Sequence, residues 1–330
     1  MAYSVAVLFL ACVTTLLRGL EASPCPPLPV PSNATEFSCS SPSLQEFPTG
    51  FPEGTLLISV EFTNISQIGA DALVGLHKLQ ELHLSNNKLR SLPGGLFRDL
   101  PDLAALDLTR NLLEDLPPGI FQNSRALRQL SLHENQLATL RPSWFHPLRQ
   151  LDMLDLSHNQ FKDVPPFCFG RLANLTNLDL SFNFLCTLAP QILEGLPRLE
   201  KLVLEGNHLR SIVDGAFQGV PSLKFLFLQN NTLASLPAGL FEPLNHLTLL
   251  DVSHNKLASF AAKFSRQATE LGLDLSGNPW ACDCRMNALV TWLKRYSVSL
   301  WAEKETICAS PKYLEGQVVT SLAPGKFGSC

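Results

Sequence analysis

The amino-acid sequence predicts an α/β solenoid of horseshoe form, with a parallel concave β-sheet, a mostly irregular convex side and disulfide-capped ends. Three observations predict it. A pattern of leucines and asparagines recurs every 24 residues. Phenylalanines recur at the same interval, each about ten residues after an asparagine. Six of the eight cysteines beyond residue 24 fall in two groups at the ends.

The pattern is plain in LQELHLSNNKL from Leu79, LAALDLTRNLL from Leu103, LRQLSLHENQL from Leu127, LDMLDLSHNQF from Leu151 and LTNLDLSFNFL from Leu175. Its asparagines fall at Asn87, Asn111, Asn135, Asn159, Asn183, Asn207, Asn231 and Asn255. This is the leucine-rich-repeat pattern L-x-x-L-x-L-x-x-N-x-L at a usual period. Each copy supplies one short strand that cannot bury its leucines alone, and stacking neighbours in parallel buries them continuously. The asparagine follows the strand, where its amide can bond the backbone of adjacent coils. A degenerate copy precedes the eight regular ones, with Ile58, Val60 and Ile65 in register and Thr63 in the asparagine slot. Another follows, with Leu273, Leu275 and Asn278, one residue short of period.

The return limb has its own column: Phe97, Phe121, Phe145, Phe169, Phe217 and Phe241, with Leu193 filling one slot. Such a column reads as a structural spine. Leu92-Pro93 and Pro118-Gly119 argue against long convex helices, because proline removes a donor and breaks the helical ladder.

The boundaries follow. Residues 4–17, SVAVLFLACVTTLL, form the apolar run of a signal peptide spanning 1–23, with cleavage expected near residues 22–24. An N-terminal cap covers 24–54, the repeats cover 55–278, and a cysteine-rich cap covers 279–330. Export favours disulfides over free thiols. Cys25 and Cys39 flank a proline-rich stretch and are expected to pair. NPWACDC and LVTWLKRY read as a short helix stapled over the last coil. The expected pairs there are Cys282–Cys308 and Cys284–Cys330, one of three connectivities. Cys168 takes an inward slot and Cys186 an outward one, so a bridge between them needs a distorted coil. Otherwise Cys168 is a buried thiol and Cys186 can link subunits. Sequons at Asn33, Asn64, Asn174 and Asn230 are candidate glycosylation sites.

No phosphate loop, zinc-protease motif or nucleophile motif occurs, so no enzyme, cofactor or metal site is expected. The net charge of −4 and the absence of basic stripes argue against nucleic acid. No later apolar run is long enough to insert in a membrane. The informative surface is the strand face, whose outward residues flank the buried leucines. Its middle column reads Ser59, His83, Asp107, Ser131, Asp155, Asp179, Val203, Phe227, Asp251 and Asp274, and Glu61, Glu81 and Glu205 stand beside it. Eight carboxylates against Lys201 alone give this face about −7, compared with −4 for the whole chain. A concave surface of one sign steers partners of the other. Aspartate and serine are also ordinary solvating residues of such strands. Phe225 and Phe227, with Val203, suggest an exposed aromatic anchor inside the acidic arc. The candidate partner-binding residues are Glu81, Asp107, Asp155, Asp179, Glu205, Phe225, Phe227, Asp251 and Asp274.

SVEFTNIS at 59–66, KLQELHLSNNKLRSL at 78–92 and DLTRNLLEDLPPGIFQ at 107–122 are more specific than the generic repeat. Through them, and the cysteine set of both caps, the mature chain resembles the secreted leucine-rich alpha-2-glycoprotein group. Within it the chain is most similar to the beta-class phospholipase A2 inhibitors of snake plasma. That resemblance implies a circulating, liver-made glycoprotein, trimeric, that neutralises basic group II venom phospholipases A2. The alternative it implies is an extracellular signalling modulator that binds a cytokine or receptor. Matrix proteoglycans of this repeat class carry four N-terminal cysteines, and here only Cys25 and Cys39 are present.

Overall fold

The computed structural model describes residues 25–26, 30–261, 263–264, 271–296, 298–322 and 327. The expected signal segment 1–23 and Cys330 lie outside them.

The strands are β1 Glu36–Ser40, β2 Leu57–Glu61, β3 Glu81–His83, β4 Ala105–Asp107, β5 Gln129–Ser131, β6 Met153–Asp155, β7 Asn177–Asp179 and β8 Thr187–Leu188. They continue as β9 Lys201–Val203, β10 Ser211–Ile212, β11 Phe225–Phe227, β12 Leu249–Asp251, β13 Gly272–Asp274, β14 Trp280–Ala281, β15 Ser299–Trp301 and β16 Cys308–Ser310. Twelve of them form one sheet in the order β1-β2-β3-β4-β5-β6-β7-β9-β11-β12-β13-β15. Every neighbouring pair in it is parallel. The chain is thus a parallel-sheet solenoid, built by the 24-residue period. The two end strands belong to the caps, and no repeat signalled them. β1 buries Phe37 and Cys39 against the first coil, and β15 extends the sheet past the last.

The core is the stack of leucines predicted from the repeat. Leu82, Leu106, Leu130, Leu154, Leu178, Leu202, Leu226, Leu250 and Leu273 are all buried. So is the spine: Phe97, Phe121, Phe145, Phe169, Leu193, Phe217 and Phe241 are each fully enclosed. Phe97 stacks on Phe121 at 5.9 Å, and Phe241 on Phe264 at 5.5 Å. Such offset ring pairs add to area burial.

The asparagines form a ladder between coils. Asn111 accepts the Leu89 N–H at 3.1 Å and donates to the carbonyls of Leu84 at 2.9 Å and Leu108 at 3.0 Å. The same bonds recur at Asn159, Asn207 and Asn255. In the degenerate first coil, Thr63 keeps part of the ladder by bonding Asn87 through its hydroxyl at 2.5 Å. The return limb between coils is largely irregular. Its one α-helix among the described residues is the four-residue α1, Pro142–Phe145.

Both ends are closed. Cys25 is bonded to Cys39, and Cys282 to Cys308. The 13-residue helix α2, Cys284–Tyr296, lies in the C-terminal cap. Cys284 is also disulfide-bonded. Cys168 and Cys186 are not bridged: the first is buried and the second exposed. The regular coil has carried each to the side its slot dictates.

Candidate partner-binding site

Strand register puts the middle column in one row. Ser59, His83, Asp107, Ser131, Asp155, Asp179, Val203, Phe227, Asp251 and Asp274 follow each other across neighbouring strands. The row continues to Trp301 of β15, which is 39% exposed.

The aspartates of this row do something the repeat pattern did not reveal. Each accepts the backbone N–H two residues on, through Oδ1. Thr109 donates to Asp107, Ser157 to Asp155, Ser181 to Asp179, Ser253 to Asp251 and Ser276 to Asp274, all at 2.9 Å. The serine hydroxyls of Ser157 and Ser181 add bonds at 2.5 Å to the same oxygens. The side chain therefore fastens the turn that leaves the strand, a local role that suits Asp, Asn or Ser. Steering charge is not needed to explain why aspartate recurs there. It remains to explain the second oxygen and the charge, since a serine hydroxyl can make the same bond: Ser131 Oγ accepts the His133 N–H at 3.4 Å.

Packing these carboxylates a strand apart is unfavourable. Burial, and then the charge of Asp155 next to it, push Asp179 up to about 6. Burial likewise raises Asp251. Lys201, on the strand beyond Asp179, is lowered by burial against the opposing pull of Asp179 and Asp155.

A pocket of about 400 Å³ opens on this face, lined by Asp155, Asp179, Lys201, Val203, Glu205 and Phe227 among others. Of the predicted residues it gathers Asp155, Asp179, Glu205 and Phe227. Glu81 and Asp107 lie on strands nearer the N-terminal cap, Asp251 and Asp274 on strands nearer the C-terminal one, and Phe225 lines no part of it. Glu81 is exposed and meets His83 at 3.2 Å. Glu205 accepts from Gln229 Nε2 at 2.8 Å and Asn230 Nδ2 at 3.1 Å.

The aromatic anchor needs correction. Phe225 and Phe227 are half-buried rather than exposed, and Val203 is buried. The next strands crowd them: Lys201 and Leu249 flank Phe225, and the Lys201 ammonium sits 5.6 Å from the Phe227 ring centroid. Phe182, which lines the pocket, is an exposed ring at 42%. Phe182 follows the strand in a slot with a left-handed backbone, φ 50°, shared by Asn86, His158, Gly206 and His254. Its ring stacks on His158 at 4.3 Å. A Cβ on Gly206 would lie 2.6 Å from that ring, so glycine makes the room. A large aromatic in a slot that favours Gly, Asn and His was the available signal.

The four sequons stand on the surface or half-exposed. Asn33 and Asn230 are exposed, while Asn64 and Asn174 donate to the carbonyls of Pro42 at 2.6 Å and Arg149 at 2.9 Å.

The repeat model described as "Leucine rich repeat" matches residues 57–113, 102–161, 158–209 and 197–257. A chain from Leptospira interrogans, a leucine-rich-repeat protein, superposes with TM-score 0.71 at 26% identity, covering 82% of this chain and 67% of that one. A chain of the octameric complex of Latrophilin 3, Unc5D and FLRT2 (LRR) superposes at 0.66 and 23% identity, covering 89% and 96%, and shows the fold alone. Two relatives narrow the class. "Phospholipase A2 inhibitor beta" of Elaphe climacophora is 67% identical over 306 residues, 93% of this chain and 92% of its own length. "Phospholipase A2 inhibitor" of Gloydius brevicaudus siniticus is 58% identical over 329 residues, 99% of each. The chain belongs to the leucine-rich-repeat phospholipase A2 inhibitor family.

Proposed function

We propose that the chain is a secreted plasma glycoprotein that inhibits basic group II phospholipases A2 by holding them on the concave sheet face, without chemistry of its own. The observation that carries this is the 67% identity to an inhibitor over nearly the full length of both chains. The row of half-buried carboxylates supplies a surface of the sign a basic enzyme requires. Glu81, Asp107, Asp155, Asp179, Glu205, Asp251 and Asp274 provide the charge, and Phe225 and Phe227 provide apolar contact. Glycans at Asn33, Asn64, Asn174 and Asn230, and assembly as a homo-oligomer, belong to the same reading.

Lipid hydrolysis assayed with purified basic and acidic phospholipases A2 tests it. Inhibition of the basic enzyme alone is expected, weakening as salt rises because exposed charges are screened within about 10 Å at 0.1 M. Reversing Asp155 and Asp179 to Lys is expected to slow association. Full inhibition by both variants at low salt would remove the acidic site, and no effect on either enzyme would shift the weight to a signalling role.

A further inference from the structure

Phe182 is a large apolar ring left open to water at the rim of the concave face, and a sequon stands two coils further on. We propose that the first N-acetylglucosamine of a glycan on Asn230 packs against the Phe182 ring. The chain would thus carry a seat for its own carbohydrate. This rests on the reading of Asn230 as a glycosylation site.

The period puts the parts in line. Phe182, Gly206 and Asn230 follow one another at intervals of 24 residues and share one slot after the strand, with left-handed φ of 50°, 65° and 56°. Backbone bonds tie these coils together: Phe182 N–H donates to the Glu205 carbonyl at 2.8 Å, and Gly206 N–H to the Gln229 carbonyl at 3.1 Å. Neighbouring coils are therefore about one strand spacing apart, roughly 4.8 Å.

The ring is held on one side and bare on the other. It stacks at 4.3 Å on His158, which belongs to the preceding coil. It leans over the following coil, where a Cβ on Gly206 would lie 2.6 Å from it. A ring stacked on the coil before turns its other face toward the coils after. Glycine offers no side chain to cover that face, and the ring stays 42% exposed.

Asn230 aims at the same space. It is exposed, and its Nδ2, the atom that bears the sugar, reaches back one coil to donate to Glu205 Oε1 at 3.1 Å. A carboxylate only accepts, so this bond fixes which end of the amide faces it. A glycosylated amide keeps one hydrogen, enough for that bond. The sugar then leaves Nδ2 beside Glu205 and over Gly206, in front of the open ring. A pyranose has a face of C–H groups that suits the negative face of an aromatic ring, while its hydroxyls stay in water. Covering the ring also removes apolar area from water. Phe182 lines the pocket, so the seated sugar narrows the mouth and takes this ring away from the partner.

The test uses the full chain secreted from cultured animal cells, with occupancy of Asn230 read by glycopeptide mass spectrometry. With a ¹³C-labelled glycan, NMR is expected to show the protons of the first N-acetylglucosamine shifted upfield from their positions in the isolated Asn230 glycopeptide. That shift should survive Phe182→Tyr and vanish in Phe182→Ala. Native digestion with a peptide N-glycosidase is expected to release the Asn230 glycan about two- to tenfold faster from Phe182→Ala than from wild type, the range an aromatic contact supports. Phe167→Ala, the same deletion from a left-handed backbone at another exposed phenylalanine, should leave the rate unchanged. Circular dichroism and the melting temperature establish that the variants are folded.

An occupied Asn230 whose sugar protons match those of the glycopeptide would overturn the seat while leaving the glycosylation reading in place, and this result needs no variant. Equal acceleration by Phe167→Ala would overturn it as well. An unmodified Asn230 would overturn both.

Discussion

Two polar columns run the length of the solenoid on the same period, a few residues apart in each coil, and they are satisfied to different degrees. The asparagine ladder is buried and fully used: Asn159 accepts from Leu137 N–H at 3.1 Å and donates to the carbonyls of Leu132 and Leu156 at 2.9 and 3.2 Å. The aspartate row is half-used, with Oδ1 fastening a turn and no hydrogen bond among the described residues reaching the Oδ2 of Asp155 or Asp179. The difference teaches that repetition alone does not separate structural from functional residues. Unspent bonding capacity is what sets the aspartates apart from the asparagines.

The largest expected effect lies in the ladder. Asn159→Ala strands the Leu137 N–H in the interior and takes one donor from the carbonyls of Leu132 and Leu156, which keep Asn135 and Asn183, and a loss of about 2 kcal/mol in urea unfolding is expected. A loss below about 1 kcal/mol would put the ladder on the footing of the surface row.

Asp179→Asn is expected to move stability the other way. The amide oxygen keeps the Ser181 bond while the unfavourable charge goes, for a gain of about 1 kcal/mol at neutral pH. The sign follows from the raised value. Between the ordinary 3.8 and about 6 the folded chain holds a proton on Asp179 that the unfolded chain has released. Wild-type stability therefore falls as pH rises through that window and stays lower above it. The stability difference between Asp179→Asn and wild type should grow from pH 4 to pH 6 and then level off. A difference that stays flat across those pH values would show that Asp179 is not strained. The same variant is expected to inhibit less well, so stability and binding part company at this residue.

Asp107→Asn, on a strand outside the pocket, is expected to stay within about 0.5 kcal/mol of wild type in the same measurement. The smallest and most local contrast is between the two thiols. Burial pushes Cys168 up to about 12, while Cys186 is exposed. A thiol reagent such as Ellman's is expected to titrate Cys186 in the folded chain and Cys168 only after unfolding.

Much of this architecture was legible because a fixed period exposes it. The leucine core, the phenylalanine spine and the inward and outward slots of Cys168 and Cys186 all follow from position modulo 24. β1 and β15 did not, because the caps carry no repeat and each becomes a strand only by pairing with a coil already formed. At the site, the row of aspartates could be read but not its bonding. The bond from Asp155 to the Ser157 N–H depends on the turn geometry after the strand. The exchange of Phe227 for Phe182 as the exposed ring has a similar cause. Exposure on a sheet is set by neighbours 24 residues away on either side, and Lys201 covers Phe227 while Gly206 leaves Phe182 open.

The constant register has a consequence for how such a chain can change. Because each coil presents its outward residues from an identical frame, replacing one of them alters a single rung and leaves the rest of the scaffold undisturbed. What this face presents can therefore be altered one position at a time, as beads are swapped on a rigid rod.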